Sequence, residues 1–142
     1  MNILFDYNRT LFNPETNALY EGVLSVLGHL SQKHTLFLIS RKEAGRREIF
    51  EQLGIKVFFS QVFFVDSKNR KIFKELLGDS QGVVVGDSIT DEIAIGNDLG
   101  YTTIRIQQGA FAHQIPRSSK ETPTYTIFNL SELETILKKY EE

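Results

Sequence analysis

The sequence predicts an α/β fold, a three-layer doubly wound (Rossmann-like) arrangement in which a parallel sheet of about five to six strands lies between two layers of helices. Three observations predict it. Short β-rich apolar runs alternate with longer helical patterns from one end of the chain to the other. The runs are apolar at successive positions, as strands covered on both faces require. The β-α-β-α succession implies right-handed crossovers between neighbouring parallel strands.

Each element has its own justification. Ile3-Leu4-Phe5 forms the first strand and ends at Asp6. Ala18 to Gln32 places Leu19, Val23, Val26, Leu27 and Leu30 on one helical face, and Thr35 to Ile39 is the next apolar run. Lys42 to Leu53 carries Ile49, Phe50 and Leu53 at helical spacing. Ile55 to Phe59 and Val62 to Val65 read as strand, their paired phenylalanines as core packing. Asn69 to Leu77 is helical through Ile72, Phe73, Leu76 and Leu77, and Val83-Val84-Val85 is a strand. Glu92 to Leu99 is a short helix closed by Gly100. Tyr101 to Ile106 and Tyr125 to Leu130 are the last strands, and Ser131 to Tyr140 is a final helix opened by a Ser131–Glu134 capping box. Residues 107–123 have no period, contain Pro116 and Pro123, and read as a mobile surface loop beside the expected site.

Composition narrows the chemistry. At 142 residues the chain is expected to form a single domain, residues 1–142, undivided by any repeat or linker. Area scaling puts its folded surface at roughly 7,500 Å² against about 23,500 Å² unfolded, enough burial for a core without staples. The absence of cysteine removes disulfides, thiol catalysis and thiolate-bound metals. A net charge of -2 argues against electrostatic binding to nucleic acid or to an anionic membrane. No bilayer-length apolar run or signal-peptide pattern is present, so a cytoplasmic address is expected.

In an open parallel sheet, ligands bind beyond the carboxyl ends of the strands. The polar residues there are Asp6 to Thr10 after the first strand, Ser40-Arg41 after the second, Lys68 before the third main helix, and Asp87 to Asp91 after the fourth strand. Acids, a hydroxyl and a lysine at one edge suit a hard divalent cation and a phosphoryl group. Gly86 before Asp87 reads as allowing a tight turn.

Four segments in this order resemble the motifs of the haloacid dehalogenase (HAD) superfamily: Asp6-Tyr-Asn8-Arg-Thr10, Phe37-Leu-Ile-Ser40, Val65-Asp-Ser-Lys68-Asn, and Gly86-Asp87-Ser-Ile-Thr-Asp91. The resemblance covers residues 1–109 and implies a HAD-like fold and a Mg²⁺-dependent phosphatase or phosphotransferase acting on a phosphomonoester. Asp6 would be the nucleophile that forms an aspartyl-phosphate. Mg²⁺ would be held by Asp6, Asp87 and the backbone carbonyl of Asn8, with Asp91 in support. Ser40 and Lys68 would bind the transferring oxygens, with Arg9, Thr10 and Arg41 completing the substrate-binding set. Lys71 and Lys74 compete with Lys68 by proximity; the Lys-Asn-x-x-x-Phe frame favours Lys68.

One position departs from the pattern. Family phosphatases usually carry a second aspartate where this chain has Asn8, and an amide cannot exchange a proton near neutral pH; the loss of a general acid/base costs about 10²–10⁴-fold. The outcomes are hydrolysis limited to good leaving groups, a long-lived phosphoaspartate, or binding without turnover in a regulatory module. Glu15 is a candidate substitute acid, and Arg9 stands where the family commonly has glycine. Neither gap between motifs holds a cap domain, so the substrate is a phosphorylated small molecule or macromolecule reaching an open site, or one roofed by a second copy in a homo-oligomer.

Competing structural roles are available for several of these residues. Ser40-Arg-Lys-Glu43 spells a capping box, Ser88 and Asp91 have cap-like spacing, and Arg41, Arg46 and Arg47 read as a solvated helix face. His29, His34 and His113 have no metal spacing; the first two read as helix-end surface residues, and His113 lies in the long loop near the expected mouth.

Overall fold

The computed structural model describes residues 1–78 and 81–141. Six strands form one sheet: β1 (Asn2–Asp6), β4 (Thr35–Arg41), β5 (Gln61–Val65), β6 (Val83–Gly86), β7 (Thr102–Ile106) and β8 (Tyr125–Ile127). Their spatial order is β5-β4-β1-β6-β7-β8, and every neighbouring pair is parallel. A second, antiparallel pair, β2 (Phe12–Asn13) and β3 (Ala18–Leu19), follows β1 directly.

Alternation along the strands builds two cores. Ile3, Phe5, Leu36, Leu38, Val83 and Val85 face one side, where they meet Val23, Val26, Leu27 and Leu30 of α1 (Val23–Lys33), Phe50 of α2 (Arg46–Leu53), and Leu133 and Leu137 of α5 (Leu133–Leu137). Leu4, Phe37, Ile39 and Val84 face the other, against Phe73, Leu76 and Leu77 of α3 (Arg70–Leu77) and the half-buried Ile95 of α4 (Glu92–Asp98). Central strands with both faces covered account for their unbroken apolar runs. Three layers and six parallel strands match the expected architecture.

The chain runs from β1 outward through β4 to β5, then returns to β6 on the other side of β1 before continuing to β7 and β8. That reversal leaves a crevice at the carboxyl ends of β1 and β6, the position where open α/β sheets bind ligands. Asp6 ends β1, and Asp87 follows β6.

Several local expectations are corrected. The first helix begins at Val23, because Ala18 and Leu19 pair with Asn13 and Phe12 and Gly22 turns the chain at φ 85. The second begins at Arg46 behind Gly45, so the Ser40–Glu43 pattern caps nothing. Lys56–Phe58 is a 3₁₀ turn, and only Gln61–Val65 pairs with β4. The final capping box is Asn129–Glu132, two residues before the one expected. His34 is not a surface residue: its side chain is 4% exposed, with Nδ1 3.1 Å from the N-terminal ammonium and Nε2 2.8 Å from Glu141 Oε1.

Residues 107–123 are tied down rather than loose. Arg105 of β7, itself buried, donates through Nη2 to the carbonyls of Phe111 (3.1 Å), Ala112 (3.4 Å) and Gln114 (2.9 Å). Asn97 of α4 donates to the carbonyls of Lys120 and Thr122. No domain is inserted between β1 and α1 or between β4 and β5, and no helix among the described residues is long and apolar enough to cross a membrane.

Candidate functional site

Four charged side chains meet at the β1/β6 crevice. Lys68, in the loop before α3, donates through Nζ to Asp6 Oδ1 at 2.6 Å and to Glu92 Oε1 at 2.8 Å, and lies 3.8 Å from Asp91 Oδ2. Its side chain is 3% exposed, against 8% for Asp6 and 2% for Glu92, so this is a desolvated ion cluster. Asn69, next in sequence, fixes the loop by accepting the Ile72 N–H at the start of α3. Lys71 and Lys74 are exposed on α3 and do not line the cavity that Lys68 lines.

Asp6 and Asp87 are buried where strands end, and each has a distinct environment. Thr10, fully buried, donates its hydroxyl to Asp6 Oδ2 at 3.1 Å, so both oxygens of Asp6 are engaged. Burial opposes ionisation of Asp6, but the Lys68 ammonium and hydrogen bonds with Asp87 and Lys68 outweigh it and hold the carboxyl below its ordinary range. At Asp87 the pull of Lys68 is outweighed. Burial first, then the charges of Asp6 and Glu92, push it up to about 10, and its Oδ2 is buried without a hydrogen-bond partner. Burial also lifts Glu92 to about 7 against the pull of Lys68, whose own ammonium is held protonated by Asp6 and Glu92 despite its burial.

Glu92 is the residue that sequence reasoning missed. The first residue of α4, it accepts the Ser88 N–H through Oε2 at 2.6 Å and Lys68 through Oε1, so both of its oxygens are spent on positioning. Gly86 explains how it fits. A Cβ there would stand 2.6 Å from Glu92 Cδ and Oε2, so glycine supplies room for a carboxylate rather than the turn expected of it. That glycine, six residues before an acid, was the available signal. Asp91 caps no helix N–H; its carboxylate reaches Lys68 and, at 3.6 Å, Arg41 Nη2.

The donor set fits a hard divalent cation. Carboxylate oxygens of Asp6, Asp87 and Glu92 all lie within 4.8 Å of one another, Lys68 is the ammonium paired with Asp6, Asp91 and Glu92, and Asp87 Oδ2 is buried without a hydrogen-bond partner. Both oxygens of Asp6 and of Glu92 accept hydrogen bonds, so Asp87 Oδ2 is the carboxylate oxygen of this set that is left without a partner.

The cluster floors a cavity of about 440 Å³. Asn8, Arg9, Arg41, Asp91 and Glu92 line it, and Lys42, Glu43, Arg46 and Phe111 were not anticipated there. Thr10 and Ser40 do not line it: Thr10 is behind Asp6, and the Ser40 hydroxyl accepts from Arg46 Nη1 at 3.3 Å and donates to the Arg41 carbonyl at 3.3 Å. Glu15 and His113 are exposed and lie outside the lining.

No family model matches the chain, and no curated protein matches it in sequence. Solved structures do. A hydrolase of the haloacid dehalogenase-like family from Streptococcus pneumoniae superposes with a TM-score of 0.76 at 12% identity, over 96% of this chain and 97% of that one. The D,D-heptose 1,7-bisphosphate phosphatase from B. bronchiseptica, in complex with magnesium and phosphate, gives a TM-score of 0.70 at 14% identity over 97% and 98%. YfnB from Bacillus subtilis, described as a HAD-hydrolase and bound to magnesium, gives 0.70 at 22% identity over 85% of this chain, which spans only 57% of its length. At these identities the likeness is one of fold.

Proposed function

We propose that this chain, which has the haloacid dehalogenase-like fold, is a Mg²⁺-dependent phosphohydrolase whose nucleophile is Asp6 and whose substrate is a phosphomonoester. One observation carries the reading: a buried aspartate held ionised at a strand end, bonded to a buried lysine and beside an aspartate with an unpartnered oxygen, on the floor of a cavity. The cytoplasm, a phosphorylated small molecule or macromolecule, and assembly with further copies belong to the same proposal.

Asp6 and Asp87, with the Asn8 backbone carbonyl, would hold Mg²⁺; when bound, the ion supplies charge neutralisation for the phosphoryl oxygens. The chain's own residues do the rest. An Asp6 carboxylate oxygen forms a bond to phosphorus as the bond from phosphorus to the leaving oxygen breaks, giving an aspartyl-phosphate. The Lys68 ammonium stabilises the oxygens of the transferring group, and Glu92 positions that ammonium. The leaving oxygen takes its proton from solvent, since Asn8 has none to give. Water then attacks phosphorus, releasing phosphate and restoring Asp6. Ser40 would join the phosphoryl oxygens if its hydroxyl turned from the Arg41 carbonyl.

Hydrolysis of para-nitrophenyl phosphate, whose leaving group needs no acid, is expected with Mg²⁺ and lost with EDTA; Asp6→Asn lowers it at least about 10³-fold. Absence of turnover and of Mg²⁺ binding across a panel of phosphomonoesters would remove the proposal. Asn8 favours a second reading, a module that binds phosphorylated ligands without turnover, because its amide lines the cavity where a proton donor is wanted. Substantial activity of the unmodified protein excludes it.

A further inference from the structure

Arg9 differs from every other cation lining the cavity. Lys68 is bonded to Asp6 and Glu92, Arg41 is paired with Asp91, Lys42 with Asp66, and Arg46 with Glu43. Among the described residues no carboxylate lies within ion-pair distance of Arg9, although it stands half-buried in the same wall. An unpaired guanidinium beside an acidic centre would ordinarily swing toward the acids or into solvent. Here it is held.

The hold is built from both ends. The Arg9 backbone has φ 63, a left-handed conformation that costs a non-glycine residue about 1 kcal/mol or more. Gln108 secures it by donating through Nε2 to the carbonyls of Arg9 (3.1 Å) and Thr10 (3.3 Å), and the Arg9 N–H donates to the Phe12 carbonyl at 2.7 Å. The alkyl stem lies on Gly109, where a Cβ would stand 3.2 Å from Arg9 Cδ. The guanidinium carbon is 5.1 Å from the centre of the Phe111 ring, a cation–π distance. Phe111 is fixed in turn, since buried Arg105 clasps its carbonyl. The segment after β7 thus serves to hold Arg9.

A rigid, stacked guanidinium with its donors free is what bidentate recognition of a carboxylate or phosphate uses. Space for the rest of a ligand adjoins it. A second cavity of about 340 Å³ shares Asn8, Arg9, Glu43 and Arg46 with the first and is also lined by Tyr7 and Phe12. Arg9 sits on the wall common to both.

We propose that Arg9 anchors a second anionic group of the substrate, so that the site selects phosphomonoesters carrying a carboxylate or a further phosphate on the leaving-group side. This rests on the assignment of Asp6 and Lys68 as the phosphoryl end of the site. Its test is binding rather than turnover. Phosphonoacetate, 3-phosphonopropionate and 4-phosphonobutyrate are titrated calorimetrically into the full chain with Mg²⁺, each against the alkylphosphonate of equal length. The expected result is a preference of about tenfold or more for the carboxylate member at one chain length. Arg9→Gly, which suits the left-handed backbone and so keeps the fold, reduces that preference below about threefold, and Arg9→Lys restores part of it. Equal binding within every pair, or a preference that survives Arg9→Gly and disappears in Arg46→Ala, overturns the proposal. A preference that depends on Arg9 in a protein that hydrolyses no phosphomonoester would support the anchor and remove the hydrolase reading.

Discussion

Two lysines at the same edge of the sheet each face an aspartate, and they show how differently the floor and the rim of the site are made. Lys68 meets Asp6 at 2.6 Å with side chains 3% and 8% exposed; Lys42 meets Asp66 at 3.8 Å with side chains 62% and 91% exposed. The floor is anchored to strand ends and shielded from water, so its charges act at short range. The rim is carried by loops and the start of α2, where water screens the same chemistry. Burial, more than residue type, separates the two.

Asn8 lies where floor meets rim, and changing it has the largest expected effect. Asn8→Asp provides a group able to protonate a leaving oxygen and later to activate water. It should raise kcat on alkyl phosphates by about 10²–10⁴-fold, and far less on para-nitrophenyl phosphate, whose leaving group needs no proton. Steady-state assays of both substrates read the contrast. A uniform gain on both, or none, would show that the amide is not what limits the floor.

Breaking the floor pair comes next. Lys68→Met keeps much of the packing volume but leaves the carboxylates of Asp6 and Glu92 buried without their cation. Removing one partner of a buried ion pair typically costs about 3–5 kcal/mol, a large share of a domain's stability. Chemical denaturation should show that loss. A change under about 1 kcal/mol would mean that water reaches the cluster and that floor and rim are alike.

How much of this was legible in the sequence follows the same division. Unbroken apolar runs and strand-end acids are local, so the sheet and the polar residues at its carboxyl edge, Asp6, Asp87 and the lysine loop among them, could be read directly. Ala18 and Leu19 could not be, because they fit a helical face and join a strand only through pairing with Phe12 and Asn13. Glu92 was hidden because an acid at the start of a helix is unremarkable until Gly86 is seen to make room for it. Ser40 was legible as a strand-end hydroxyl, but its rotation toward the Arg41 carbonyl is set by Arg46, a contact no spacing encodes. The hold on Arg9 comes from Gln108, Gly109 and Phe111, about a hundred residues away in the chain.

The electrostatics of the floor give a smaller, pH-dependent effect. Without a cation, Asp87 titrates at about 10 instead of 3.8 and Glu92 at about 7 instead of 4.5. Both are acids raised by folding, so between those values the folded state binds more protons than the unfolded one, and stability falls as pH rises. Asp6, lowered, has already contributed its part above pH 4, and Lys68, raised, keeps its part until above its ordinary 10.5, so neither opposes the trend between pH 6 and 9. In EDTA the Tm should drop across that interval, and the Mg²⁺-induced rise in Tm should be larger at pH 9 than at pH 6. A Mg²⁺ shift independent of pH would place the ion away from Asp87.

The smallest expected effect is on the rim. Lys42→Ala removes an ion pair that is screened on both sides and tied to no buried group, and exposed pairs of this kind contribute about 0.2–1 kcal/mol at most. Its unfolding free energy should stay within about 1 kcal/mol of the parent, and the difference should shrink on added salt. The comparison with Lys68→Met is then a direct measurement of what burial adds, since both variants delete one lysine facing one aspartate at the same sheet edge. If Lys42→Ala cost as much as Lys68→Met, the rim would be as desolvated as the floor. An open cavity mouth would then be the wrong description, and a covering surface, such as a second copy of the chain, would have to supply the difference.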